Sequence, residues 1–146
     1  MTDHADRADF TELIAAANLA REFAVAPFSR FRVGAALRTA GGGVFTGCNI
    51  ENATYGLTVC AERVALWKAI SEGAHTFTEI VIVVDTDKLT PPCGACRQLL
   101  WEFGGNLRVV LANLTGQTEV MKLSELLPRA FDLSSLDENR EHLGRS

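Results

Sequence analysis

Two short stretches carry the residue types that could do chemistry: Cys60-Ala61-Glu62 and Pro92-Cys93-Gly94-Ala95-Cys96. Zinc prefers thiolate and imidazole ligands in a tetrahedron, and a catalytic zinc keeps one of its four positions for water. Cys60, Cys93 and Cys96 can fill three positions. Glu62 lies two residues beyond the first, at a helix start. There its carboxylate can carry protons for that water without binding the metal. Cys93 and Cys96 are three apart and share one face of a helix turn. Each stretch alone has a plainer reading. A C-x-x-C pair serves redox chemistry or half of a structural zinc knuckle, and C-A-E by itself is close to noise. Together, with Pro92 directly before the second pair, they point to a catalytic zinc site.

Helix N-termini carry positive partial charge and stabilise thiolate, so two helix starts converging on one metal is physically sensible. Three thiolates with one Zn²⁺ still sum to a negative charge, which makes a bound water less acidic. Arg63, next to Glu62, and Arg97, next to Cys96, are candidates to offset it by donating to ligand sulfurs. Each could equally be a surface arginine in a weak ion pair. The charge argument favours Arg63 and leaves Arg97 open. Asn49 and Glu51 are two apart, so in an extended segment both side chains point the same way. Such a pair can hold sugar hydroxyls, or it can be an ordinary polar loop. Cys48 reads as a small buried hydrophobe, and His4, His75 and His142 as solvated bystanders.

The elements that must position these residues alternate along the chain. Residues 10 to 24 have the spacing of an amphipathic helix, with Phe10, Leu13, Ile14 and Ala17 on the apolar side. Pro27 ends it. Phe31 to Leu37 and Val44 to Cys48 read as a hairpin around a glycine turn. The small run Gly34-Ala35-Ala36 hints at close approach by another element. A second helix is expected from about Thr58, as N-cap, to Gly73. Glu79 to Asp85 is a buried strand, Cys93 to about Phe103 a third helix, and Leu107 to Ala112 another buried strand. Thr118 to Met121 makes a short last strand, and Ser124 can cap a short helix over Glu125 to Leu127. A polar tail begins near Asp132. No linker divides the 146 residues, so one domain over 1–146 is expected, with an α/β sandwich architecture.

No apolar run approaches a membrane span, and the polar N-terminus argues against secretion. A reducing cytoplasm is then the expected compartment, where four cysteines point to metal or catalysis before disulfides. The formal net charge of −4, with 14 basic residues scattered among 18 acidic ones, disfavours a nucleic-acid partner and suits a small neutral substrate.

The motif pair is similar to the signature of the zinc nucleobase deaminases, which includes a three-cysteine variant. Longer segments extend the likeness: Pro27 to Ala36, Gly47 to Asn52, Leu57 to Arg63, Pro92 to Gln98, and Glu125 to Pro128 followed by Phe131. In order and spacing these resemble the homotetrameric cytidine deaminase family, from about residue 10 to 131. The resemblance implies a three-layer αβα sandwich with a five-stranded mixed sheet. It implies hydrolysis of cytidine and 2′-deoxycytidine to the uridines and ammonia, in pyrimidine salvage. It implies one zinc per subunit on Cys60, Cys93 and Cys96, and Glu62 as proton carrier. Asn49 and Glu51 would hold the ribose, Phe31 would stack on the pyrimidine, and Ala61 would contact it. Tyr55 and Phe131 would help complete a neighbouring subunit's pocket, and Arg63 would neutralise ligand cysteines. Some relatives have histidine where this chain has Cys60, and many have tyrosine where it has Phe28.

Three rivals share part of the pattern. A blasticidin-type deaminase would keep the chemistry and change the pocket. The Asn49-x-Glu51 pair and Phe31 favour an ordinary nucleoside over it. An RNA- or DNA-editing deaminase needs an open basic surface, which the charge disfavours. A non-catalytic zinc domain would normally bring a fourth protein ligand, for which Cys48 is the remaining cysteine.

Overall fold

The last five residues of strand β3 (Phe77–Val84) are all apolar and β-branched. Such a run has no polar face to give to water, so both faces need cover. The computed structural model describes residues 3–137, with side chains from Phe10 onward, and places helices on both sides of this strand. In chain order the elements are α1 (Asp3–Arg21), β1 (Val33–Thr39), β2 (Val44–Cys48), a single 3₁₀ turn (Tyr55–Leu57), α2 (Ala61–Ser71), β3, α3 (Gly94–Gly104), β4 (Arg108–Asn113), β5 (Thr118–Lys122) and α4 (Leu123–Leu126).

The five strands form one sheet in the order β2-β1-β3-β4-β5. Only β3 and β4 pair in parallel, with Ile80 opposite Val109 and Ile82 opposite Leu111; the other three pairs are antiparallel. Side-chain alternation sorts the core into two halves. Phe10, Leu13 and Ala17 of α1 pack on Ala36, Val81 and Val83 on one face. Ala65, Leu66 and Ala69 of α2 and Leu100 of α3 pack on Leu37, Ile80 and Ile82 on the other. The result is the expected three-layer αβα sandwich with a mixed sheet. No described helix is long and apolar enough to cross a membrane.

Two glycines let the outer layers close onto the sheet. Gly34 and Gly47 lie on neighbouring strands, in pairs Gly34–Cys48 and Ala35–Gly47. A Cβ on Gly34 would collide with the backbone oxygen of Ala17 in α1. A Cβ on Gly47 would stand 2.5 Å from Ala61 O and 2.6 Å from Ala65 N in α2. The close approach expected at Gly34 is therefore present, and Gly47 provides a second on the opposite face.

Several boundaries differ from expectation, each for a physical reason. Helix α1 starts at Asp3, not near residue 10, because apolar spacing cannot register turns made of polar residues and alanine. Its last turn tightens into i→i−3 bonds from Glu22, Phe23 and Ala24, so regular helix ends at Arg21. Thr58 does not cap α2. Its hydroxyl accepts from the Asn52 backbone N–H at 3.1 Å, and the N-cap is Cys60. Nor does Ser124 cap the last helix. The Glu125 carboxylate accepts from the Lys122 backbone N–H at 2.7 Å, while Asn106 Oδ1 takes the Ser124 N–H at 2.8 Å. Cys48 is half-buried rather than buried. His75 is exposed, as expected; the His4 side chain, His142 and the tail beyond Asp137 lie outside the described residues.

One buried charge had no signature in the sequence. Glu79, 2% exposed, bonds Arg38 Nη1 at 2.8 Å and Arg108 Nη2 at 3.2 Å from the two flanking strands. The trio spans β1, β3 and β4 at the end of β3 opposite to its C-terminus.

Candidate metal centre

The C-terminal end of β3 leads through Pro91 and Pro92 to α3, and α2 starts beside it. Cys60 and Cys93 are the N-cap residues of α2 and α3, both extended in backbone and neither making a side-chain cap. Their thiols are therefore free to turn away from the helix ends. Cys96 follows one turn into α3 and is fully buried. The three Sγ atoms lie within 4.8 Å of one another, with Cys60 and Cys93 at 3.9 Å. Zn–S bonds of ~2.3 Å at tetrahedral angles require sulfurs about 3.8 Å apart. The donor set and its spacing fit zinc. No fourth ligating side chain joins the cluster among the described residues, and Cys48, on β2, is not part of it.

Electrostatics at the cluster favour thiolate at Cys60. The Cys60 thiol is drawn down to about 5, chiefly by the hydrogen bond from the Cys96 thiol, against the opposing effect of burial, and further by Arg63. Cys96, as the thiol giving that bond, is pushed far up. Arg63 Nη2 donates to Cys60 Sγ and to Thr58 O, each at 3.5 Å, and its guanidinium lies 5.9 Å from the Trp67 ring centre. Arg97 turns the other way. Its Nε donates to Pro92 O at 2.7 Å and Nη1 to Leu126 O at 2.8 Å, so it does not reach a sulfur. Glu62, the second residue of α2, is 5% exposed. Burial raises its pKa above the usual carboxylate range, the neighbouring Cys96 thiol offsets this in part, and the Cys60 charge adds to it.

A cavity of about 210 Å³ opens beside the cluster, and Cys60, Glu62 and Cys93 line it. Phe31, Asn49, Glu51 and Ala61 line it too, so four of the six residues singled out for substrate meet the cysteines there. Residues 49–51 are held extended between Val25 and Val59 by four backbone hydrogen bonds of 2.7–3.0 Å. That geometry sends Asn49 and Glu51 inward and leaves Ile50 42% exposed. Asn49 Oδ1 accepts from Val33 N at 2.8 Å, and its Nδ2 donates to Phe31 O at 2.7 Å. Glu51 Oε1 accepts from Phe28 N at 2.9 Å and Ser29 N at 3.1 Å, while the Ser29 hydroxyl donates to Oε2.

Tyr55 and Phe131 do not line this cavity; they are 73% and 60% exposed. The Tyr55 ring meets Phe28 edge-on at 5.5 Å between centres. Sequence reasoning missed Ser29 and Thr90, which also border the cavity. Neither sits in a spacing pattern. Ser29 is tied to Glu51 across 22 residues, a pairing no local motif announces.

Fold and site together define a class: αβα sandwiches in which two helix N-termini bring three cysteines and a buried glutamate to one small cavity. The sequence profile described as the cytidine and deoxycytidylate deaminase zinc-binding region matches residues 8–113. Cytidine deaminase of Halalkalibacterium halodurans is 50% identical over 127 residues, covering 86% of this chain and 96% of that one. Cytidine deaminase of Sporosarcina psychrophila is 46% identical over 129 residues, covering 88% and 95%. The crystal structure of cytidine deaminase from Burkholderia pseudomallei is 50% identical with a TM-score of 0.79, covering 90% of this chain and 100% of that one. The chain belongs to the cytidine and deoxycytidylate deaminase zinc-binding family.

Proposed function

We propose that this protein hydrolyses cytidine and 2′-deoxycytidine to uridine and 2′-deoxyuridine with release of ammonia, a step of pyrimidine salvage. The observation that carries this reading is one cavity lined together by Cys60, Cys93 and Glu62 and by Asn49, Glu51 and Phe31. It has room for one small ligand and presents a reactive end and a polar end.

Zinc, held by Cys60, Cys93 and Cys96, supplies Lewis acidity towards water at the reactive end. Glu62 handles the protons. Its raised pKa suits it to take a proton from the attacking water, pass it to N3 of the pyrimidine, and deliver one to the departing amino group. The C4–O bond forms first, with the proton on N3, and the C4–N4 bond breaks afterwards as the protonated amino group leaves as ammonia. Phe31 offers a ring to stack on the base, and Ala61, fully buried at the start of α2, limits how deep the base can go. Arg63 offsets the thiolate charge.

Hydrogen-bond capacity refines the sugar end. Oε1 of Glu51 has both lone-pair directions filled, and Oε2 has one filled by Ser29. Asn49 Nδ2 has one N–H committed to Phe31 O. One acceptor direction on Glu51 Oε2, one on Asn49 Oδ1 and one Asn49 N–H remain, enough for one sugar hydroxyl or for two. A substrate with or without a 2′-hydroxyl is then accommodated.

Tyr55 and Phe131 enter this reading as residues offered to a neighbouring subunit's cavity in a homotetramer. Their exposure, outside the cavity of their own chain, supports that. The reading also treats 1–146 as one cytoplasmic domain.

The test is an ultraviolet absorbance assay with cytidine on the wild type and on Glu62→Gln, both shown to contain zinc. Loss of cytidine absorbance with the wild type alone is expected. No change with either protein removes the deaminase reading.

A further inference from the structure

Helix α3 has two working sides. One holds Cys93 and Cys96. The other grips the end of α4 and the chain after it: Arg97 Nη1 donates to Leu126 O at 2.8 Å, Gln98 Nε2 to Phe131 O at 2.7 Å, and Trp101 Nε1 to Asp132 Oδ2 at 3.3 Å. Arg97 alone among these three also reaches the loop in front of the helix, where its Nε donates to Pro92 O at 2.7 Å.

Pro92 O belongs to the peptide unit whose nitrogen is that of Cys93. The peptide is planar, so fixing its oxygen fixes the plane from which Cys93 departs. Cys93 needs such a hold more than its partners do. Cys96 is fully buried and Cys60 half-buried with a hydrogen bond from Arg63, whereas Cys93 is exposed and Arg63 donates to Cys60 in its place. A guanidinium is a rigid planar fork, so Arg97 sets the spacing between the Pro92 and Leu126 carbonyls in a way that a flexible ammonium would not.

We propose that Arg97 is a positioning residue for the Cys93 zinc ligand: it locks the Pro92–Cys93 peptide against the end of α4. The metal site is thereby braced by the segment that runs on to Phe131. This rests on the three-cysteine zinc site and on no assumption about substrate.

The experiment compares wild type, Arg97→Ala and Gln98→Ala in two readouts. The first is the rate of zinc release to an excess of a chromogenic chelator. The second is the thiolate-to-metal charge-transfer absorption of the Co²⁺-loaded proteins, which reports ligand geometry without turnover. Gln98→Ala loosens the same C-terminal segment without touching Pro92. Arg97→Ala is expected to release zinc about tenfold faster and to shift the Co²⁺ spectrum, with Gln98→Ala within about twofold of wild type. Wild-type release and spectrum in Arg97→Ala, or equal effects from both variants, overturn the proposal. Should Arg97→Ala not fold, Arg97→Gln, which cannot span both carbonyls, is measured instead, and wild-type behaviour in it overturns the proposal equally. A wild type that takes up no metal removes the zinc site and this inference together.

Discussion

The Ser29 hydroxyl donates to Glu51 Oε2 while the Ser29 backbone N–H donates to Oε1 at 3.1 Å, so one residue grips both oxygens of the carboxylate. The same hydroxyl accepts from Phe31 N at 3.0 Å, which ties Glu51 to the backbone of another cavity-lining residue. Removing it leaves Oε2 unheld, while the backbone N–H groups of Phe28 and Ser29 keep Oε1. Ser29→Ala is expected to raise KM for cytidine about tenfold with kcat nearly unchanged, since it removes a charge-assisted hydrogen bond that orients the carboxylate. Steady-state kinetics check this, and equal KM values would remove Ser29 from the site.

The same contacts set an acid limit. The Ser29 hydroxyl, and with it the backbone N–H groups of Ser29 and Phe28, hold the Glu51 carboxyl below its ordinary 4.5. A carboxyl lowered on folding contributes stability fully above its unfolded pKa, and the contribution is lost as pH falls through the folded one. The difference in Tm between wild type and Glu51→Gln should therefore be constant above about pH 5.5 and shrink below 4.5. Thermal unfolding across that range decides it; a difference that widens towards acid has the wrong sign.

Arg63 donates to the Cys60 sulfur and to the Thr58 carbonyl before α2. Arg63→Ala is expected to lower zinc affinity by about tenfold or more, with Tm of the loaded protein moved far less. Metal content after dialysis against a competing chelator, set beside the melting curve, tells the two apart. Intact zinc content and turnover would reduce Arg63 to a packing residue on Trp67.

Glu79 provides the converse case. Its two arginine bonds lie at the end of the sheet away from the cavity. Glu79→Ala removes the buried carboxylate that joins the two guanidiniums. It is expected to cost ~3 kcal/mol, lowering Tm by on the order of 10 °C while KM stays unchanged. A change in KM without loss of stability would contradict this division of the molecule.

Much of the site was legible because its residues lie in short stretches whose types are chemically unusual. The cysteines and Glu62 stand at helix starts as expected, and Asn49 and Glu51 do share a face. The hairpin strand Val44–Cys48 has the expected bounds, because its glycine turn and alternation are local signals. What escaped depends on partners distant in sequence. Thr58 has the composition of a helix cap, but Asn52 claims its hydroxyl. Arg97 looked equally suited to sulfur or solvent, yet it clasps two carbonyls, one of them 29 residues away. Glu79 sits in a strand whose sequence gives no warning that two arginines will converge on it.

Gly47 has a mechanical meaning beyond packing. The atoms nearest its absent Cβ, Ala61 O and Ala65 N, belong to the first turn and a half of the helix that begins just after Cys60. Strand β2 is thus the seat of a lever whose short arm carries Cys60 and Glu62, and whose long arm runs to Ser71. With the fulcrum so near the working end, a displacement of the seat by one methyl passes to Cys60 and Glu62 almost undiminished. The alignment of the reactive end is set, in effect, by the thickness of a single bare peptide.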